Sequence, residues 1–235
     1  MTDIALITGA NKGLGLTAAR RLAEQGMTVW MGSRDADRGA AAAASLSGLD
    51  VRPIVLDVTD DASVDKAAAT IGAEHGRLDV LVNNAGITGA QAGFADATAD
   101  HVRRVYETNV FGAVRVTLAF LPWLRASDAA RIVMVSSGLG SHGWTEETTF
   151  VDVGSLGLAY PSSKAALNMI ASQYARSLPE MRVNVADPGY TATDLNGHQG
   201  FQTVEEGTDA IVALATLGPD GPTGGFVSRE GPVPW

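Results

Sequence analysis

Seven short apolar runs alternate along this 235-residue chain with longer segments of helical period. The runs cover residues 4–8, 28–32, 51–58, 78–82, 131–138, 181–186 and 224–228. They are largely apolar without an in-out alternation, as in strands buried on both faces. The helical patterns lie at about 14–24, 36–46, 60–75, 98–124, 159–176 and 204–217, with Gly26 and Gly76 as natural stops for the first and third. Strand and helix taking turns without a linker leaves few topologies open, because parallel strands need crossovers and crossovers are right-handed. The expected fold is α/β: a single domain over residues 1–235, a doubly wound parallel sheet of about seven strands with helices on both faces.

Bulk properties narrow the function classes. The chain has no cysteine, which excludes disulfides and thiolate metal sites, and no metal site is expected. Its net charge of -9 offers no basic stripe for nucleic acid or an anionic membrane. No run of 18 apolar residues and no leader pattern is present, so a soluble, cytoplasmic protein is expected.

The first strand runs into Thr8-Gly9-Ala10-Asn11-Lys12-Gly13-Leu14-Gly15 and then a helix. Glycines let backbone approach a phosphate, and free N–H groups at a helix start attract the anion. The spacing Gly-x3-Gly-x-Gly differs from the G-x-G-x-x-G of long-chain dinucleotide enzymes. At the end of the second strand stand Ser33 and Arg34, where an acidic residue would accept from a ribose 2′-hydroxyl. Arg34 and Lys12 converging there suit a 2′-phosphate, which favours NADP(H). Asp35 complicates this choice, since Arg34 could instead pair with it or with Asp37. Asp57, followed by Val58, either accepts from an adenine amino group or caps the next helix. Asn84, beside Asn83 and before Ala85-Gly86, has the donors and acceptors to tie strand ends together beneath a cofactor. Asn109, in the middle of an apolar helix, needs a partner, because a buried unpaired amide costs about 1–3 kcal/mol.

Tyr160 and Lys164 are four residues apart at the head of a helix, hence on one face. A phenol titrates near ~10, and a cation beside it favours the phenolate; lowering it by a few units asks about 3–4 kcal/mol of the local field. One Lys and a second positive group could supply that. Ser136 and Ser137 close the fifth strand, and alternation lets only one of them face the tyrosine.

These residues together resemble the short-chain dehydrogenase/reductase family. Thr8-Gly9-x3-Gly13-x-Gly15, Asn83-Asn84-Ala85-Gly86, Asn109, Ser137, Tyr160-x3-Lys164 and Pro188-Gly189 stand in that family's order over essentially the whole chain. The segments 9–13, 33–35 and the tail Gly231-Pro232-Val233-Pro234-Trp235 are most similar to its NADPH-dependent carbonyl-reductase-like branch. The resemblance implies a Rossmann fold and a reductase moving hydride to a ketone or aldehyde, or the reverse alcohol oxidation. In it Tyr160 would give the proton and Lys164 would hold the nicotinamide ribose and lower the phenol, with the oxidised nicotinamide as the second cation. Ser137 would bond the substrate oxygen, and Asn109 would hold a water linking Lys164 to solvent. The backbone after Pro188 and Gly189, with Thr191 and Thr193, would meet the carboxamide and pyrophosphate.

Loops at about 138–156 and 189–203 should line the substrate cleft, and polar, Gly-containing residues 191–203 read as mobile. Trp144, Phe150 and Tyr190 are the candidate pocket residues for an apolar carbonyl, while His142 reads as a solvated loop residue. A small-molecule carbonyl or alcohol is the expected partner, with the chain a monomer or a homo-oligomer. A 3-oxoacyl-carrier reductase, an NAD-dependent alcohol dehydrogenase and a non-catalytic dinucleotide sensor are the alternatives. The last is the least favoured, since Ser137, Tyr160 and Lys164 are all retained.

Overall fold

The computed structural model describes residues 2–89, 97–147 and 157–235, the side chains of 145–147 excepted. Its strands form one sheet in the order β3-β2-β1-β4-β5-β6-β7-β8. They are β1 Ile4–Ile7, β2 Thr28–Ser33, β3 Val51–Val55, β4 Val80–Asn83, β5 Arg131–Val135, β6 Arg182–Ala186, β7 Phe226–Ser228 and β8 Gly231–Pro232. All pairings are parallel except that of β7 with β8. Among the described residues the sheet therefore has eight strands where about seven are expected. The extra one is a two-residue return over a turn at Gly231 (φ 126), too short to carry any hydrophobic period.

The helices are α1 Gly13–Glu24, α2 Ala36–Ala44, α3 Asp61–His75, α4 Ala99–Tyr106, α5 Ala113–Arg125, α6 His142–Glu147, α7 Ala159–Ser177, α8 Val204–Gly207 and α9 Asp209–Ala215. They cover both faces of the sheet, which explains the near-continuous apolar strands. Leu6 and Ile132 point into one core with Phe120 and Leu167, whereas Ile7 and Val133 point into the other with Leu22 and Ile211. None of the described helices is long and apolar enough to cross a membrane.

Local chemistry sets most boundaries. Asp60 starts α3 by accepting from the N–H of Ala62, and Gly76 ends it in the left-handed region at φ 69. The expected 98–124 helix is interrupted: Glu107–Gly112 adopts a π-helical turn between α4 and α5, and Asn109 sits within it. Similarly, the expected 204–217 helix divides into α8 and α9 at Thr208, whose buried hydroxyl donates to the Glu205 carbonyl while accepting from Arg21.

Gly72 of α3 packs directly against the Trp123 ring of α5. A Cβ added at Gly72 would lie 2.1 Å from Trp123 Cε2, whereas one at Gly218 would have nothing within 4 Å. Gly72→Ala is therefore expected to lower stability by about 1–3 kcal/mol in urea denaturation, the cost of overpacking exceeding any gain in helix propensity. Gly218→Ala should stay within about 0.5 kcal/mol of the parent.

Candidate active site

A cleft of about 600 Å³ opens over the carboxyl ends of β1 and β4, where the strand order reverses from β2 to β4 on either side of β1. Thr8 and Asn84 build its floor. The Thr8 hydroxyl accepts from the N–H groups of Asn84 and Ala85, each at 2.9 Å, and the Asn84 amide donates to the Thr8 carbonyl at 2.8 Å. Asn84 thus ties the two strand ends together, as its position suggests. Gly9 takes φ 64, and a Cβ there would press on Ala85 at 3.1 Å. At Gly15 it would lie 2.6 Å from both the Gly9 carbonyl and the Asn84 amide, so only glycine lets α1 enter this close.

The glycine loop, Asn11 and Leu14 line the cleft with Asn84, Ala85 and Gly86. Lys12 precedes α1 without a side-chain cap, so the first-turn N–H groups have no side-chain acceptor from it. A Cβ at Gly13 would meet only Thr193, at 3.8 Å, which leaves a cradle for phosphate oxygens.

At the outer end Ser33 turns its hydroxyl onto the Asp35 carbonyl. The Asp35 carboxylate caps α2 through the Arg38 N–H and pairs with the Arg38 guanidinium at 3.4 Å. Asp35 is thereby committed to its own helix. Arg34 stands exposed on the cleft wall, in no ion pair with Asp35 or Asp37. The wall also carries Arg38 and Arg104, which the sequence reading passed over because a helical Arg gives no local sign of facing a cavity. Lys12 departs from expectation: its ammonium bonds Asp194 at 2.6 Å, a contact across 182 residues invisible to local patterning. Asp57 accepts from Thr59, and Asp60 is the helix cap, which removes the capping alternative for Asp57. Asp57 and Val58 both line the cleft.

Tyr160, Lys164 and Ser137 come together outside the set of residues that line the cleft, which Lys164 and Asn109 both approach at Gly86. Tyr160 and Lys164 are buried on one face of α7, the ammonium 5.6 Å from the centre of the phenol ring. Lys164 donates to the Val135 carbonyl at 2.8 Å, and its Nζ lies 3.6 Å from where a Cβ of cleft-lining Gly86 would stand. Ser137 is hydrogen-bonded to the Tyr160 hydroxyl. Ser136 is turned the other way, donating to Asn168 at 2.5 Å, so the alternation argument selects Ser137. Asn109 accepts from the Ile87 N–H and spends both amide hydrogens on the Ile87 carbonyl and the Ser163 hydroxyl. The mid-helix amide is thus satisfied within the protein.

The electrostatics run against the sequence expectation. Burial pushes the Tyr160 phenol up to about 12, the charge of Asp187 adds to this, and the Ser137 hydrogen bond offsets part of it. Burial brings Lys164 down to about 8, with Asp187 opposing. Burial is the largest cause at Tyr160, and the phenol stands above its ordinary value rather than below it. Asp187, 9 % exposed, is the group the sequence reading missed; a lone Asp before Pro-Gly reads as turn chemistry.

Of the residues after β6, Thr193 lines the cleft but Thr191 does not. Thr191 is 4 % exposed and donates to the Pro188 carbonyl, because Gly207 packs onto its side chain. Gly189 takes φ 67 beside Gln202. Within this loop a Thr191–Gln202 bridge and mutual capping of Thr193 and Asn196 join the two ends. Tyr190 packs edge-on against the exposed Phe201 ring at 5.9 Å. A Cβ at Gly138 would come 3.2 Å from the Trp144 indole, which places Trp144 beside Ser137. The 231–235 tail braces that region: the Pro234 carbonyl accepts from Ser141 at 2.5 Å and that of Trp235 from the Gly143 N–H at 3.2 Å. Phe150 lies outside the described residues, as do 148–156 of the expected cleft loop; His142 is exposed. No cluster of three or more metal-ligating side chains occurs among the described residues.

Comparison with known proteins agrees with this architecture. Residues 3–202 match the short chain dehydrogenase family. The chain is 39% identical over 227 residues to short-chain dehydrogenase anuI of Penicillium roqueforti, covering 92% of this chain and 89% of that protein. It is 34% identical over 283 aligned residues to the (+)-neomenthol dehydrogenase of Arabidopsis thaliana, covering 96% of each. Among solved structures, the NADPH-bound carbonyl reductase from chicken fatty liver gives a TM-score of 0.86 at 28% identity, covering 100% of this chain and 99% of that one. Salutaridine reductase from Papaver somniferum gives 0.84 at 28% identity, covering 95% and 99%. The chain belongs to the short-chain dehydrogenase/reductase family.

Proposed function

We propose that this protein is an NADPH-dependent reductase of ketones or aldehydes. The observation that carries the reading is the grouping of Ser137, Tyr160 and Lys164, with Lys164 beside Gly86 of a cleft whose outer wall bears Arg34, in no ion pair among the described residues. The volume of about 600 Å³ suits a cofactor site, and the glycine cradle before α1 fits a pyrophosphate. Arg34 would hold the 2′-phosphate, with Arg38 near it and Lys12 joining once it leaves Asp194. That ion pair is exposed on both sides and hence weak. Asp57 and Val58 would border the adenine, Lys164 the nicotinamide ribose, and Thr193 the phosphates.

When bound, the reduced nicotinamide supplies the hydride. Tyr160 supplies the proton: burial keeps the phenol protonated at neutral pH, the form that reduction needs. Ser137, already bonded to that hydroxyl, would donate to the carbonyl oxygen as negative charge develops there. Trp144, Tyr190 and Phe201 would offer an aromatic wall, which suits a carbonyl flanked by bulky apolar groups. Relatives named neomenthol dehydrogenase and salutaridine reductase support that substrate class.

A spectrophotometric screen of NADPH and NADH against a carbonyl panel tests the reading; no NADPH oxidation with any of them would sink it. Tyr160→Phe should lower kcat by about 10²–10⁴-fold with little change in dinucleotide affinity. Arg34→Asp should raise the NADPH dissociation constant by at least about 10-fold and leave that of NADH nearly unchanged. An unaltered ratio of the two excludes Arg34 as the phosphate reader.

The buried ammonium also makes stability depend on pH. Between about 8 and the ordinary 10.5, the unfolded chain keeps the Lys164 proton and the folded chain has released it. Stability contributed by this group therefore rises with pH over that window. Lys164→Met abolishes that slope, so its stability relative to the parent should fall steadily from pH 8 to pH 10 in urea titrations. A constant difference over that range would contradict the burial of a charged lysine.

A further inference from the structure

Residues 231–235 take no part in the chemistry above, yet they reach from the sheet edge to the region beside Ser137. β8 pairs Pro232 with Val227, and the Val233 N–H donates to the Phe226 carbonyl at 2.8 Å. The Trp235 indole packs on the Phe226 ring at 5.6 Å, and Phe226 is itself buried in the core. One side of the segment is therefore fixed to β7. Its other contacts run to α6. The buried Ser141 hydroxyl donates to the Pro234 carbonyl at 2.5 Å while accepting from the Trp144 N–H at 2.9 Å. The Trp235 carbonyl accepts from the Gly143 N–H, and a Cβ at Gly143 would stand 3.0 Å from Pro234 Cβ.

The turn that follows Ser137 is held by different partners. A Cβ at Gly140 would lie 2.6 Å from the Lys164 backbone carbon, and the Gly140 carbonyl accepts from Asn168 at 3.1 Å, so residues 138–140 rest on α7. Within that turn the Gly140 and Ser141 N–H groups bond the Ser137 and Gly138 carbonyls, each at 2.9 Å. The start of α6 draws instead on residues 234 and 235 and on the Ser141 hydroxyl, which the Pro234 carbonyl orients. Trp144 stands where the two sets of contacts meet, its indole 3.2 Å from a Cβ placed at Gly138. Ser137 can thus keep its place while Trp144 loses its own.

We propose that Pro234 and Trp235 are positioning residues for the substrate wall: through Ser141 and Gly143 they fix the start of α6, and with it the place of Trp144 beside the Ser137 turn. The consequence for substrates rests on the reductase reading above; the placement of α6 does not. A carbonyl with bulky apolar groups needs that wall and a small aldehyde does not, so loosening residues 234 and 235 discriminates against the bulky substrate. The loss falls on KM, because the wall holds the substrate equally before and during the reaction, while Ser137, Tyr160 and Lys164 keep their own supports.

The test compares the parent with Ser141→Ala, Trp235→Ala and Trp235→Phe. Amide hydrogen exchange is read residue by residue by NMR, without dinucleotide or substrate. It should quicken about 10-fold at Gly143 and Trp144 in both alanine variants, the effect of losing one hydrogen bond, and stay as in the parent at Gly140 and Ser141. Trp235→Phe, which keeps a ring on Phe226, should return toward the parent. With NADPH, the KM for a ring ketone bearing branched alkyl groups should rise about 10-fold in the alanine variants, the size of one lost aromatic contact. Over the same variants kcat, the KM for a straight-chain aldehyde and the NADPH dissociation constant should stay within about 3-fold. If Ser141→Ala does not fold, the half-exposed Trp235 carries the comparison through its own two variants. Folded alanine variants whose Gly143 and Trp144 amides exchange as in the parent overturn the proposal, as does a rise in KM shared equally by both carbonyls. Quickened exchange at Gly143 and Trp144 in a protein that reduces no carbonyl would instead uphold the placement and refute the reductase reading.

Discussion

Everything in the cleft depends on how β1 and β4 are joined at their carboxyl ends. Thr8, 1 % exposed, and Asn84 exchange hydrogen bonds between side chains and backbone across 76 residues. At this reversal of strand order the crossovers leave on opposite faces of the sheet, and a crevice opens between the strand ends. The hydroxyl and amide join those ends from within the protein. The same tie presses Gly9 and Gly15 against Asn84 and Ala85, and so it aims the start of α1 into the cleft. Strand pairing, the glycine-lined entry of α1 and the closeness of Gly86 to Lys164 therefore share one origin.

Inside that frame the protein accepts an electrostatic cost. Tyr160, Lys164 and Asp187 are all nearly excluded from solvent, and burial disfavours the ionised form of each. An apolar triplet of similar volume would be cheaper in stability. What the arrangement provides is placement: the ammonium rests on the Val135 carbonyl, the phenol on Ser137, and the carboxylate on two backbone N–H groups. Each group is restrained by a residue of β5 or of the turns that follow β5 and β6, and such fixed placement is the condition for a preorganised site.

Much of this was legible in the chain itself. Apolar runs without alternation marked a sheet covered on both faces, and the split of Leu6 from Ile7 into separate cores is their physical counterpart. Glycine spacing and the i,i+4 placement of Tyr160 and Lys164 also read directly, because they express backbone and helix geometry. Other contacts are of another kind. The sequence does not show that Lys12 bonds Asp194, that Thr191 packs under Gly207, or that Thr191 and Gln202 form a bridge. Each of these depends on contacts between distant segments that polar composition does not encode.

By itself the sequence determined the class of fold, the order of the strands' appearance and the residue types available for proton transfer. These follow from periodicity and from the conformational demands of glycine and helix caps, which act over a few neighbouring residues. Only the tertiary structure decided the direction in which Tyr160 and Lys164 are perturbed and the presence of Asp187 beside them. Ionisation responds to solvent exclusion and to charges brought together from β5, β6 and α7, and neither exists until the chain has folded.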